Sequence, residues 1–176
     1  MERMNRRDEV EGENSQLISF AVGDEEYGLE ILLVKEVIRM REITRLPKQP
    51  TFIKGIINLR GDVIPIVDLR EKFGLERHVY SATTRVIVVD VEEKLVGMVV
   101  DAARQVVRVP ADQIDPPPAI VGGMSTDYIK GVGKLDERMI ILLNIDRILS
   151  REEKLQLQKM AGASEGAAEM EPALQA

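Results

Sequence analysis

Apolar positions along this 176-residue chain fall mostly into short runs of β-branched residues, not into the three-to-four-residue spacing of a helix. The pattern predicts strands at Leu17 to Val22, Tyr27 to Ile31, Ile56 to Leu59 and Val63 to Val67, then at Val86 to Val91, Val96 to Val100, Val106 to Val109 and Met139 to Leu143. Turn signals separate them at Gly23-Asp24, Arg60-Gly61-Asp62, Glu92-Glu93-Lys94, Pro116-Pro117-Pro118 and Gly122-Gly123. Short strands so punctuated predict an all-β sandwich or small barrel. The stretch Ile31 to Met40 also suits a helix face, through Ile31, Val34, Val37 and Ile38. The Val-rich character of its counterpart around Val99 to Val107 favours strand. One helix has its own signal: Ser150-Arg151-Glu152-Glu153 has capping-box spacing and KLQLQKM follows, ending before Gly162. Asp68 to Phe73 is long enough for a further short helical turn.

The pattern also repeats. Phe52-Ile53-Lys54-Gly55-Ile56 is echoed by Tyr128-Ile129-Lys130-Gly131-Val132, and the same offset pairs Leu59 with Leu135, Ile64 with Ile140, Ile66 with Leu142, and Asp68-Leu69 with Asn144-Ile145. Upstream, Tyr27-Gly28-Leu29 is echoed by Val96-Gly97-Met98, an offset that also aligns Phe20 with Val89, Val22 with Val91 and Val37-Ile38 with Val106-Val107. The two offsets differ where the second copy carries an extra Pro-rich loop. Two copies are too few for a solenoid and predict two similar units packed about a pseudo-twofold axis. The copies cover about 16–75 and 84–149, within one domain spanning 15–160. Residues 1–14 and 161–176 are charged or small and polar, and read as disordered tails.

Composition narrows the function. The formal net charge is −6, from 30 acidic and 24 basic residues, and aromatics make up 3%. A phosphate-binding surface needs cations and a single-strand binder needs stacking rings, so both counts weigh against nucleic acid. An SH3- or OB-like nucleic-acid module therefore stands only as the less favoured alternative. The chain has no Cys, which removes disulfides, thiolate metal sites and a Cys nucleophile and fits a reducing cytoplasm. No secretory signal and no apolar run of membrane-spanning length is evident. The expectation is a cytoplasmic protein without direct membrane insertion.

Catalytic patterns are missing. The single His, His78, sits in the polar segment between the copies with no second ligand or triad partner. No phosphate-binding glycine motif occurs. No catalytic residue, metal or cofactor is expected. Arg60-Gly61-Asp62 reads as a hairpin turn with Gly61 at positive φ; the matching site in the second copy, Asp136-Glu137, lacks Gly.

The run from Phe52 to Leu75, FIKGIINLRGDVIPIVDLREKFGL, closely resembles the central motif of the CheW family of chemotaxis adaptors, above all in Asn58-Leu59-Arg60-Gly61 followed by Val63-Ile64-Pro65-Ile66-Val67-Asp68-Leu69. Phe20 to Leu29 resembles that family's first hairpin, and Val96 to Asp101 with Gly131 to Asp146 its second half. The resemblance spans roughly Gln16 to Lys159. It implies two intertwined five-stranded SH3-like β-barrels related by a pseudo-twofold, with a core in each, a further core between them and a short C-terminal helix. It also implies a non-enzymatic scaffold that binds the cytoplasmic tip of chemoreceptors and the regulatory domain of the histidine kinase CheA, and so is recruited to membrane receptor arrays. A scaffold of a non-motility chemosensory pathway is the alternative within the family. The absence of phosphotransfer and ATP-binding domains from this sequence points to the adaptor, not the kinase.

By the same resemblance the receptor-binding residues are Val34, Glu36, Asn58, Arg60 and Gly61. Val34 and Glu36 are two apart and on a regular strand would face the same way. Without the resemblance they read equally well as a core valine and an ordinary exposed acid. The kinase-binding residues are placed at Ile114, Asp115, Ile120 and Val121. Asp115 stands in a loop where related adaptors can carry a basic residue, and packing on the neighbouring barrel is the alternative for the apolar members. Deleting residues 1–14 and 163–176 should leave folding stability nearly unchanged, because such segments bury too little to offset an ordering cost of about 1–2 kcal/mol per residue. A melting curve of the trimmed chain checks it.

Overall fold

The computed structural model describes residues 14–76, 79–117 and 126–160. Among the described residues, eleven strands form two sheets. In chain order they are β1 (Asn14–Val22), β2 (Glu25–Glu30), β3 (Val34–Arg39), β4 (Ile53–Leu59), β5 (Asp62–Asp68), β6 (Arg85–Val91), β7 (Lys94–Val100), β8 (Ala102–Pro110), β9 (Ile114–Asp115), β10 (Ile129–Leu135) and β11 (Arg138–Leu143). Short helices α1 (Leu69–Lys72) and α2 (Ile145–Ile148) follow β5 and β11, and a helix α3 covers 151–160. The ambiguous stretch after Glu30 resolves into a 3-10 turn at Ile31–Leu33 and then strand β3.

Sheet order shows how the two copies intertwine. One sheet runs β3-β6-β7-β5-β4 and the other β8-β1-β2-β11-β10-β9. Replacing each strand of the first by its repeat mate turns β3-β6-β7-β5-β4 into β8-β1-β2-β11-β10, the second order. Each copy therefore gives its first hairpin to the sheet built by the rest of the other. The register agrees to the residue. Ile66 pairs with Gly97 in parallel at β5–β7, and its mates Leu142 and Gly28 pair at β11–β2.

Several features differ from the sequence expectation: β4 and β8 begin earlier than their apolar runs, and β10 is a strand the pattern does not predict. Asn14 is already in β1, opposite Pro110, because pairing with a neighbour holds a polar residue in a strand that composition alone assigns to a tail. The second sheet has a sixth strand, β9, whose place in the first sheet is taken by a single bridge between Thr44 and Ile56. Neither pair of edge strands, β3 with β4 or β8 with β9, is hydrogen-bonded together, so both barrels are open.

The apolar residues divide into three cores. Among the described residues, Ile57, Leu59, Ile64, Ile66, Val86, Val88 and Val99 fill the five-stranded sheet. Leu17, Val107, Val109, Ile140 and Leu142 fill the six-stranded one. The third core lies between the sheets and, with 21 buried residues, exceeds both others together. A fully buried aliphatic or aromatic side chain stabilises by roughly 1.5–3 kcal/mol, so most of the apolar driving force sits between the sheets. Sparse aromatics gather there in one chain of rings, Phe20 to Tyr27, Tyr27 to Phe73 and Phe73 to Tyr128, at centroid distances of 6.0, 5.3 and 6.1 Å.

Local chemistry starts the helices. Asp68 caps α1, its Oδ1 accepting from the Arg70 and Glu71 amides while Tyr80 Oη donates to Oδ2 at 2.9 Å. Burial pushes the Asp68 carboxyl up, against the pull of these donors. The repeat mate Asn144 caps α2 by accepting from the Asp146 amide. Ser150 and Glu153 close a reciprocal capping box at α3: the Ser150 amide donates to Glu153 Oε1 at 2.7 Å and the Glu153 amide to Ser150 Oγ at 3.1 Å.

Glycine is required where β4 and β10 bulge. At Gly55 φ is +138°, and an added Cβ would lie 2.1 Å from the Thr44 carbonyl oxygen; at Gly131 it would lie 2.9 Å from the Asp115 carbonyl oxygen. Both ladders shift register at these glycines. Gly55→Ala should cost about 2–3 kcal/mol, from backbone strain and a clash with a backbone atom that cannot rotate away. Urea denaturation measures it. An unchanged midpoint would show that the Thr44 bridge yields freely.

Candidate partner-binding surfaces

The turn between β4 and β5 carries the first candidate surface. Arg60 has φ +52° and Gly61 φ +91°, the pair of left-handed residues that a two-residue hairpin needs to follow strand twist. Asn58 secures it, its Oδ1 accepting from the Gly61 amide at 2.8 Å. The β6–β7 turn repeats the device without glycine: Glu92 and Glu93 are both left-handed and Asp90 Oδ1 accepts from the Glu93 amide at 2.9 Å. Gly61 thus has the positive φ read from the sequence, and Asn58 has a turn-building role.

Held in this way, Arg60 projects outward. Its side chain is 70% exposed and forms an ion pair and hydrogen bond with Glu36 on β3, 32% exposed. The contact ties one edge strand of the open five-stranded barrel to the turn at the other edge. Arg41 spans the same seam, its Nη1 donating to the Asn58 carbonyl at 3.3 Å. In the second copy the equivalent positions are Gln105 and Asp136, so this pairing belongs to the first copy alone.

Val34 and Glu36 do not face the same way. Val34 stands opposite Val89 and Glu36 opposite Val88, leaving Lys35 as an extra residue in a bulge. Neighbouring residues on β6 point to opposite faces, with Val89 in the core between the sheets and Val88 in the core of the five-stranded sheet. Val34 accordingly packs half-buried against the inter-sheet core, while Glu36 turns to the other face and reaches Arg60. The bulge recurs at Ala103 to Val106 in β8, and a spacing of two read as a regular strand cannot reveal it.

Of the second set of candidates, Ile114 and Asp115 form β9. Ile114 packs half-buried against the six-stranded sheet's own core, and Asp115 pairs with Lys134, both about half exposed. Ile120 and Val121 lie outside the described residues, as does His78. The structure brings Glu36, Asn58, Arg60 and Gly61 together on one surface and places Ile114 and Asp115 on the other sheet.

A cavity of about 540 Å³ that the sequence did not announce is bordered by Met40, Arg41, Ile43 and Arg45, by Lys54 and Glu71, and by Val79 and Tyr80 of the segment joining the copies. Val79 is 93% exposed. The only sequence signal was an apolar pair, Val79-Tyr80, in an otherwise polar linker. No group of three or more acidic or His side chains able to hold a metal occurs among the described residues, and no described helix is long and apolar enough to cross a membrane.

A family model described as the CheW-like domain matches residues 16–153. The chain is 41% identical over 146 residues to chemotaxis protein CheW of Klebsiella aerogenes, covering 83% of this chain and 88% of that protein. It is 31% identical over 156 residues to chemotaxis protein CheW of Treponema pallidum, covering 86% and 90%. The crystal structure of the scaffolding protein TtCheW from Thermoanaerobacter tengcongensis superposes with a TM-score of 0.72 at 36% identity, over 76% of this chain and 91% of that one.

The two exposed positions of the turn separate by their backbone demands. Arg60→Glu should change stability by no more than about 0.5 kcal/mol, since an exposed ion pair contributes little. Gly61→Val should cost about 1–3 kcal/mol although open space surrounds the site, because strain at φ +91° is then the whole effect. Equal losses in urea denaturation would contradict this division.

Proposed function

The chain belongs to the CheW-like domain family, and on that basis we propose that it is a non-enzymatic adaptor coupling chemoreceptors to the histidine kinase CheA. Receptor contact is assigned to the surface holding Glu36, Arg60 and the Gly61 turn, with Val34 supporting β3 from the core side. The observation that carries this assignment is the Arg60–Glu36 pair, exposed at a turn with left-handed backbone and without a counterpart at the matching positions of the second copy. The fold alone does not demand the pair, because the second copy builds the same sheet with Gln105 and Asp136 at those positions.

Chemically the surface suits a helical partner. An Arg/Glu pair that is half in solvent can exchange its internal contact for charges on a docking helix, which sets register more than raw affinity. Kinase contact is assigned to Asp115 on the six-stranded sheet, where Ile114 packs against that sheet's core, and, on the family resemblance alone, to Ile120 and Val121. Partners on different sheets leave room for both at once, which is what coupling requires. Recruitment to a membrane array then comes through the receptor and not through a membrane segment of the described residues.

Arg60→Glu and Glu36→Arg should each weaken receptor-dependent assembly with the kinase by about 2 kcal/mol or more while leaving the fold intact. Recovery of part of the loss in the double reversal is expected if the pair stays intact on docking, and no recovery if each residue exchanges its partner for a separate receptor charge. A co-sedimentation or pull-down assay with receptor cytoplasmic fragment and kinase reads this. Normal ternary assembly by folded Arg60→Glu protein would remove this surface from the assignment; failure of the unmodified chain to bind either partner would remove the adaptor reading.

A further inference from the structure

Helix α3 leaves the six-stranded sheet through β11 and α2, yet its polar tethers reach back to the five-stranded sheet's side of the molecule. Glu153 pairs with Lys72 at 2.8 Å, Lys154 with Glu92 of the β6–β7 turn at 3.3 Å, and Gln156 Nε2 donates to Gln49 Oε1, just before β4, at 2.6 Å. Leu157 and Met160 enter the core between the sheets. The helix is a strap from one sheet to the other.

Lys72 is the unusual member. Its side chain is only 11% exposed, and Nζ sits 4.5 Å from the Phe52 ring centroid and 5.6 Å from that of Tyr128 while bonding both Glu153 oxygens at 2.8 and 2.9 Å. Phe52 precedes β4 of one sheet and Tyr128 precedes β10 of the other, so one ammonium group joins both sides. The repeat mate of Lys72 is Ile148, fully buried. An aliphatic residue satisfies this place in the fold, so the cation answers a different need. Burial works against the Glu153 carboxylate, but Lys72 and Ser150 outweigh it and hold its pKa below the ordinary glutamate value.

We propose that Lys72 is a positioning residue that, through Glu153, Phe52 and Tyr128, locks the angle between the two sheets so that partner sites on different sheets move as one rigid body. The consequence for assembly rests on the adaptor reading above; the lock itself does not. Apolar packing between the sheets is non-directional, whereas a desolvated ammonium with a carboxylate on one side and two ring faces on the others has one arrangement.

The chain has no Cys, so exposed Lys94 on β7 and Met139 on β11 can be replaced by Cys and spin-labelled without background. Distances between labels then report the angle between sheets. Lys72→Met should broaden the distance distribution while the circular dichroism spectrum and cooperative melting persist; Lys72→Arg, which keeps the cation, should restore a narrow distribution; and Glu153→Gln should broaden it. With receptor fragment and kinase, Lys72→Met should leave each two-component affinity within about twofold and reduce three-component assembly about fivefold or more, the scale of a coupling between sites. A narrow distribution in folded Lys72→Met protein, or an equal loss in the two-component affinities, overturns the proposal. If Lys72→Met fails to fold, Glu153→Gln decides by the same readings. Absence of partner binding by the unmodified chain would sink the adaptor reading, while the label distances would still decide the lock.

Discussion

Everything else in this molecule depends on the apolar core between its sheets. Each half of the chain gives its first hairpin away, so neither sheet exists until both halves are present. The 21 buried residues between the sheets outnumber those inside the two barrels combined. Small open barrels of five and six strands are marginal by themselves, because little apolar area leaves water inside each. Exchange of hairpins makes their mutual face the principal burial site and turns two weak units into one cooperative domain.

Symmetry of the backbone makes asymmetry of the surface informative. The bulge in β3 recurs in β8, the Gly55 bulge at Gly131, and the Asp68 cap at Asn144. These repeated features satisfy backbone geometry common to both halves. Gly61 differs from Glu137 for a backbone reason, its φ of +91°, but at other places where the copies part the shared sheet order does not dictate the residue. Arg60-Gly61 becomes Asp136-Glu137, Glu36 becomes Gln105, and Lys72 becomes buried Ile148. Function is sought at Glu36, Arg60 and Lys72, because the same core sheet order is built with a different residue at each mate.

The charges follow the same logic. In a chain with net charge −6, the well-buried cations among the described residues are matched: Lys54 with Glu71, Lys72 with Glu153, Lys154 with Glu92, and Arg70 with Asp101. Asp101 also accepts from the Gly23 amide at 2.7 Å, joining the first hairpin of one copy to the end of the other's. Two of the ion pairs lie at junctions, Arg70–Asp101 between the copies and Lys72–Glu153 between the first copy and α3, where a charge-assisted hydrogen bond adds a directionality that apolar contact lacks.

The sequence by itself determined most of the strands, the repeat and the positive φ of Gly61, because each is local: alternation of side chains, a fixed offset between copies, and a glycine at a hairpin turn. It also determined the Ser150–Glu153 capping box, which closes within four residues. Only the tertiary structure decided which hairpin joins which sheet, since two copies with matching strands can pair within or between themselves without altering any local pattern. It alone turned Val34 and Glu36 to opposite faces, because one unpaired residue in a bulge reverses the alternation and depends on the partner strand's register. It alone brought Lys72 to Glu153, eighty-one positions away in sequence, through packing that no spacing rule encodes.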